Sequence, residues 1–261
     1  MEKDRASSTA EHVALFRALE SSRRRGRLFD DPYAARFLRR RYRLLARLAK
    51  LPPLGHGLER YIDGRWSGGP RGSAVVRTRL IDDLLTESLL TGSPAGGARQ
   101  VLLLGAGYDS RAYRIPAAAT ATVFEVDHPA TQAAKRRLIQ RRLPAERRSH
   151  VRFVPVDLLD DDLDAALGRA GFVAGASTVV IWEGVTNYLT ADVVDATLRF
   201  LAAATGAGSR IIFTYVDRGT WTAAPGSTGW RSGRPRSATP GSRGRSGSTR
   251  PPCPGTSPNG D

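Results

Sequence analysis

The 261-residue chain has one cysteine, Cys253, so no disulfide can close within it, and a reducing, cytoplasmic setting is the expectation. It has one methionine and three lysines (Lys3, Lys50 and Lys135) among forty basic residues. It lacks a run of the ~20 apolar residues that a membrane-crossing helix needs, so no membrane partner is expected. The opening MEKDRASSTAEH has no apolar signal-peptide segment. From Thr222 to Asp261 there is no Val, Ile, Leu, Met or Phe at all. Such a stretch cannot bury enough apolar surface to offset an ordering cost of ~1–2 kcal/mol per residue, and disorder is expected there.

Charge of one sign is abundant instead: the net charge is +15. That balance suggests a nucleic-acid partner, but the arginines are dispersed over 23–27, 39–43, 141–148 and the tail. No zinc pattern or RNA-stacking aromatic motif accompanies them. They read as solvated helix faces, and no nucleic acid is expected as a partner. A basic surface for some other anion stays open.

Apolar periodicity divides the remainder. Ala10–Glu20 carries Val13, Phe16 and Leu19 at helical spacing. Asp31-Pro32 reads as a cap and first turn of a helix running through Phe37 and Leu38 toward Leu48. Leu51-Pro52-Pro53-Leu54-Gly55 should end that helix, and another should cover about Ser73 to Leu90. From Gln100 strands and helices alternate. Strands are expected at 101–104, 122–126, 150–156, 177–182 and 210–216, and helices at 129–142, 163–169 and 191–205. This order implies a parallel, doubly wound α/β sheet. The expected organisation is a helical cap over 1–98, an α/β core over 99–221 and the disordered tail over 222–261.

The stretch RQVLLLGAGYDSRAYRIPAAATATVFEVD (99–127) carries most chemistry. A strand stops at Gly105-Ala106-Gly107, and the next strand ends on Asp127. Open α/β sheets hold an adenosine this way: the glycines admit close backbone approach and the acid takes the ribose hydroxyls. Enzymes that transfer hydride from a dinucleotide carry a third glycine where this chain has Ser110. Asp109 also stands where a pyrophosphate would sit and would repel it. A cofactor with a cationic head and no phosphate is tolerated there, and S-adenosylmethionine is one. Asp109 reads equally well as a plain helix cap. Two more strands end on acids: Asp157 is placed to accept from the adenine amino group, and Glu183 to face the ammonium or sulfonium.

The sequence resembles the leucine carboxyl methyltransferase family, most closely its bacterial S-adenosylmethionine-dependent branch. The resemblance covers about residues 10 to 217. It rests on Asp31-Pro32-Tyr33-Ala34, Val76-Arg77-Thr78-Arg79, LLLGAGYDSRAYR (102–114), FEVDHP (124–129), VPVDL (154–158) and WEGVTNYL (182–189). It implies a Rossmann-like class I methyltransferase core preceded by helices. It also implies that Arg77 binds the cofactor carboxylate, and that Gly105, Ala106 and Gly107 line the methionine moiety. Asp127 would take the ribose, Asp157 and Leu158 the adenine, and Glu183 the region of the methionine amine. The implied reaction is methyl transfer to a carboxylate or hydroxyl of a small-molecule acceptor. No catalytic base is named by these residues; Tyr188 and His128 are candidates by position. As alternatives, Tyr188 packs under the cofactor and His128 opens a helix.

The family pattern continues past the fifth strand with two further strands and a helix. The text after Tyr215 to Arg218 shows no such pattern, and its abrupt change near residues 219 to 230 is the expected mark of a shifted reading frame. An alternative expectation follows: a cofactor-binding remnant with impaired turnover.

Overall fold

The computed structural model describes residues 7–65, 69–91 and 97–216. Five parallel strands form one sheet: β1 (Gln100–Leu104), β2 (Thr122–Asp127), β3 (Val151–Pro155), β4 (Thr178–Trp182) and β5 (Arg210–Phe213), in the order β3-β2-β1-β4-β5. Every residue of β1 and β4 is buried, as expected of central parallel strands covered on both faces. Alternation along each strand sorts the side chains into two cores. Val101, Leu103, Val123, Val151, Val179 and Ile181 pack with the N-terminal helices. Leu102, Leu104, Phe124, Val126, Val180 and Trp182 face the opposite way, with Leu167 and Leu201. The doubly wound α/β fold is therefore as the sequence implies. Among the described residues no helix is long and apolar enough to cross a membrane.

Nine helices are described in chain order: α1 (Ser8–Ser22), α2 (Ala34–Phe37), α3 (Arg40–Leu48), α4 (Pro52–Arg65), α5 (Pro70–Thr91), α6 (Arg111–Arg114), α7 (Pro129–Arg142), α8 (Leu163–Arg169) and α9 (Ala191–Ala204). Three differ from expectation. The helix expected from Asp31 to Leu48 breaks at Leu38 and Arg39, which are extended. Phe37 and Leu38 are each 1% exposed, and the Arg39 amide donates to Glu11 Oε1 at 2.9 Å instead of continuing a helical ladder. Burial and an alternative acceptor outweigh local periodicity here. The helix running toward Leu48 does end there, but Pro52 and Pro53 then open a further, unexpected helix, α4. Proline costs nothing in a first turn, where an amide has no helical acceptor anyway. The helix that Asp109 reads as capping is only the single turn α6, with Ser110 at its N-cap and an extended Ile115 ending it.

The expected tail, the shifted frame and the absent last strands fall on residues 217–261, outside the described residues. Within them, β5 is an outer strand, with Phe213 and Tyr215 exposed.

Candidate functional site

The C-terminal ends of β1, β2, β3 and β4 converge, and each expected cofactor residue except Arg77 lies on a loop or tip at that edge. The turn after β1 has positive φ at Gly105 (68°) and Gly107 (44°). The Ala106 amide donates to the Val126 carbonyl at 2.9 Å, which pins the turn beside β2. Asp127 Oδ2 accepts the Gly107 amide at 2.5 Å, and Oδ1 accepts the His128 amide at 2.7 Å. Each carboxylate oxygen keeps a lone pair for a ribose hydroxyl. Burial pushes the Asp127 carboxyl up from its ordinary value, and the Gly107 and His128 amides only partly offset that.

Both glycines are required by close approach as well as by φ. A Cβ on Gly105 would lie 2.3 Å from Val185 Cγ2, and one on Gly107 would lie 3.0 Å from Ala10 Cβ of α1. The glycine turn is thus also a packing seam. Gly105→Ala combines left-handed strain of ~1–2 kcal/mol with that overlap, so a loss of about 2 kcal/mol is expected in urea unfolding. Adding Val185→Ala should restore the part due to overlap; no recovery would trace the loss to φ alone.

Arg77 reaches the same edge from α5. Its Nε donates to Glu183 Oε1 at 2.6 Å, and Arg111 Nη1 donates to Glu183 Oε2 at 2.9 Å. Burial alone would raise the Glu183 carboxyl, but Arg111 and Arg77 outweigh it and hold it below the usual range. Arg111 also bonds Asp82 at 2.8 Å and Asp109 at 2.6 Å, and Arg114 bonds Asp82 at 2.6 Å. Burial acts most strongly on Asp109, yet the Arg111, Arg17 and Lys135 cations carry it downward. Asp109 Oδ1 accepts the Arg111 amide at 2.7 Å, so its carboxylate serves the first turn of α6 from the residue before the N-cap, Ser110.

Asp157 follows β3. It accepts the Leu159 amide at 3.1 Å and lies 3.7 Å from His128 Nε2. Leu158 packs against the core that holds Val154 and Val156. Gly105, Gly107, Arg77, Asp127, Asp157, Leu158 and Glu183 are all half-buried, and Ala106 is buried. Half-burial leaves a polar group reachable by a ligand while the protein fixes its position. His128 Nδ1 accepts the Ala130 amide at 3.2 Å and so opens α7, matching its structural reading. Tyr188 is 53% exposed, with its hydroxyl 3.4 Å from Thr9 Oγ1, and is not packed beneath the sheet edge.

Sequence reasoning missed the second layer. Arg17 of α1 donates to Asp31 at 2.9 Å and to the Tyr108 carbonyl at 2.5 Å, while Ser110 donates to Asp31 at 2.6 Å. These contacts lock the glycine turn to the N-terminal helices. Asp31 was legible as a cap, and it does accept the Tyr33 and Ala34 amides. Its second oxygen, turned to Arg17 and Ser110, was not. The only available signal was that Asp31-Pro32-Tyr33-Ala34 and Tyr108-Asp109-Ser110-Arg111 recur together in the family pattern.

The residues present fit S-adenosylmethionine. An Arg77–Glu183 pair presents one cation and one anion, which is the charge pattern complementary to a zwitterionic amino acid. Arg111 Nη2 is a buried donor with no partner beside that pair. The one-turn α6, entered through an acid, provides no seat for a pyrophosphate. A doubly wound sheet with these strand-end groups defines the class: an S-adenosylmethionine-dependent methyltransferase.

Within that class the chain belongs to the leucine carboxyl methyltransferase family, whose model matches residues 10–202. A Frankia alni protein, provisionally named an S-adenosyl-L-methionine-dependent methyltransferase, is 37% identical over 212 residues, covering 81% of this chain and 69% of that one. A Streptomyces coelicolor protein of the same provisional name is 36% identical over 213 residues, covering 81% and 70%. Among solved structures, a methyltransferase from Thermobifida fusca, also provisionally named, has a TM-score of 0.46 and 20% identity, covering 79% of this chain and 67% of that one.

Proposed function

We propose that this chain methylates an oxygen of a small molecule, a carboxylate or a hydroxyl, using S-adenosylmethionine. The observation that carries the reading is the Arg77–Glu183 pair at 2.6 Å, set at the same sheet edge as the Asp127 carboxylate. When bound, the cofactor supplies a methyl group activated by a sulfonium. Asp127 holds the ribose by its two oxygens. Arg77 and Glu183 hold the amino-acid end, and Asp157 with Leu158 borders the adenine. The protein's contribution is alignment, which is worth up to ~7–11 kcal/mol of barrier when reactants are well oriented.

An acceptor carboxylate is ionised at neutral pH and needs no general base. That suits a site in which His128 Nδ1 already accepts a backbone amide and Tyr188 turns its hydroxyl to Thr9. A carboxylate is therefore the preferred acceptor.

The test is release of S-adenosylhomocysteine over panels of carboxylic acids and phenols, followed by alkali. A methyl ester hydrolyses and a methyl ether survives, which separates the two acceptors. Arg77→Ala should raise the KM for the cofactor by about tenfold, as expected for loss of one charge-assisted hydrogen bond, with a smaller effect on kcat. Cofactor binding with no turnover on either panel would favour the remnant over the enzyme.

A further inference from the structure

We infer that a hollow between α3 and the C-terminal end of α7 binds a multiply charged phosphate group. Arg36 of α2, Arg43 and Arg47 of α3, Lys50 just beyond it and Arg142 of α7 line one cavity of about 460 Å³. Only proline and alanine side chains lie between them, and no acid contributes to the lining. Two arginine-rich runs that are dispersed in sequence, 39–43 and 141–148, meet here.

Arg43 and Arg142 are half-buried and Arg36, Arg47 and Lys50 are exposed, and the contrast with the arginines of the cofactor edge is in their partners. Arg17, Arg111 and Arg114 each meet a carboxylate. Among the described residues no ion pair reaches Arg36, Arg43, Arg47, Lys50 or Arg142. Arg142 Nη1 is sealed from water with no hydrogen-bond partner. Burial first, then Arg43, Arg141 and Arg36, push the Arg142 pKa down, as expected where like charges converge without a counter-ion.

Helix ends account for part of the cluster. Arg47 and Arg142 lie in last turns, and Arg36 donates to the Arg142 carbonyl at 3.2 Å. They do not account for Arg43 and Lys50 closing the same hollow. Four guanidinium groups and an ammonium exceed what a single carboxylate would balance, and guanidinium forks match phosphate oxygens in pairs. The volume lies within the usual range for small-ligand sites. A duplex, with one charge per ~1.7 Å of axis, calls for an extended basic track and not one hollow. The location is separate from the cofactor edge. α7 starts beside Asp127, and its 14 residues carry Arg142 roughly 20 Å away at ~1.5 Å per residue.

The test is calorimetric titration of the full chain with inorganic tripolyphosphate at physiological salt, against sulfate at matched ionic strength. Tripolyphosphate should bind about tenfold or more tighter than sulfate, and Arg43→Gln with Arg142→Gln should weaken it by about tenfold or more. S-adenosylmethionine binding by that variant should stay within about twofold. If the double variant does not fold, Arg47→Gln with Lys50→Gln, both at exposed positions, should still weaken tripolyphosphate about threefold or more. Equal affinity for sulfate, or equal tripolyphosphate affinity in every folded variant, overturns the proposal. So does a short DNA duplex that binds more tightly than tripolyphosphate and is lost in the same variants.

Discussion

Asp127→Ala is expected to weaken S-adenosylmethionine binding by on the order of a hundredfold or more. Two hydrogen bonds from ribose hydroxyls to a carboxylate are worth ~1.5–3 kcal/mol each, and ~3 kcal/mol is already more than a hundredfold. The alanine also strands the Gly107 and His128 amides, which now meet Asp127 at 2.5 and 2.7 Å. Part of the loss would therefore arise from a loosened glycine turn. Asp127→Asn separates the two effects, since it keeps the shape and one acceptor and removes the charge. It should retain more stability than alanine in urea yet still bind the cofactor poorly. The pH dependence supplies a second readout. Burial raises the Asp127 carboxyl, so it becomes protonated at a pH above the 3.8 of a free aspartate and loses the acceptor capacity proposed for it. Affinity should begin to fall there as acid is added. An Asp127→Ala protein that binds the cofactor like the wild type would remove Asp127 from the site.

The strand-end positions of the candidate site were legible because their signals are local. A strand followed by Gly105-Ala106-Gly107, and acids at the ends of successive strands, follow from two-residue periodicity and the parallel crossover rule. Asp127, Asp157 and Glu183 are where that reading places them. What was not legible requires tertiary approach. Arg111 pairs with Asp82, 29 positions earlier, and with Glu183, 72 positions later. Nothing in the spacing of those residues marks them as partners. The break at Leu38–Arg39 has the same origin: its stabilising acceptor, Glu11, lies on another helix. Pro52-Pro53 misleads for a different reason, because proline marks a helix start as readily as a helix stop, and only the structure shows which side the helix takes.

Arg111→Met should cost about 3–5 kcal/mol of stability, because it leaves buried carboxylates without their partner. The Arg111 side chain is 2% exposed and meets Asp82, Asp109 and Glu183 at 2.6 to 2.9 Å. With Arg77 and Arg114 it balances those three acids; without it Asp109 keeps no direct cation. Arg111→Lys retains the charge but not the fork that spans three carboxylates, so it should recover only part of the loss. Acid sharpens the test. Asp109 and Glu183 are held below their ordinary values of 3.8 and 4.5. A depressed carboxylate stabilises the fold above its unfolded pKa and stops doing so as pH falls through its folded pKa. The difference between wild type and Arg111→Met should therefore be full near neutral pH and shrink as pH drops below about 4. Asp127, whose carboxyl is raised, contributes in the opposite sense in both proteins and cancels. A difference that stays constant from neutral to acid pH would mean that Arg111 acts by packing and not by charge. Glu183 also loses one of its two guanidinium partners in this variant. On the role proposed for Glu183, cofactor affinity should then fall together with stability, though less steeply than in Asp127→Ala.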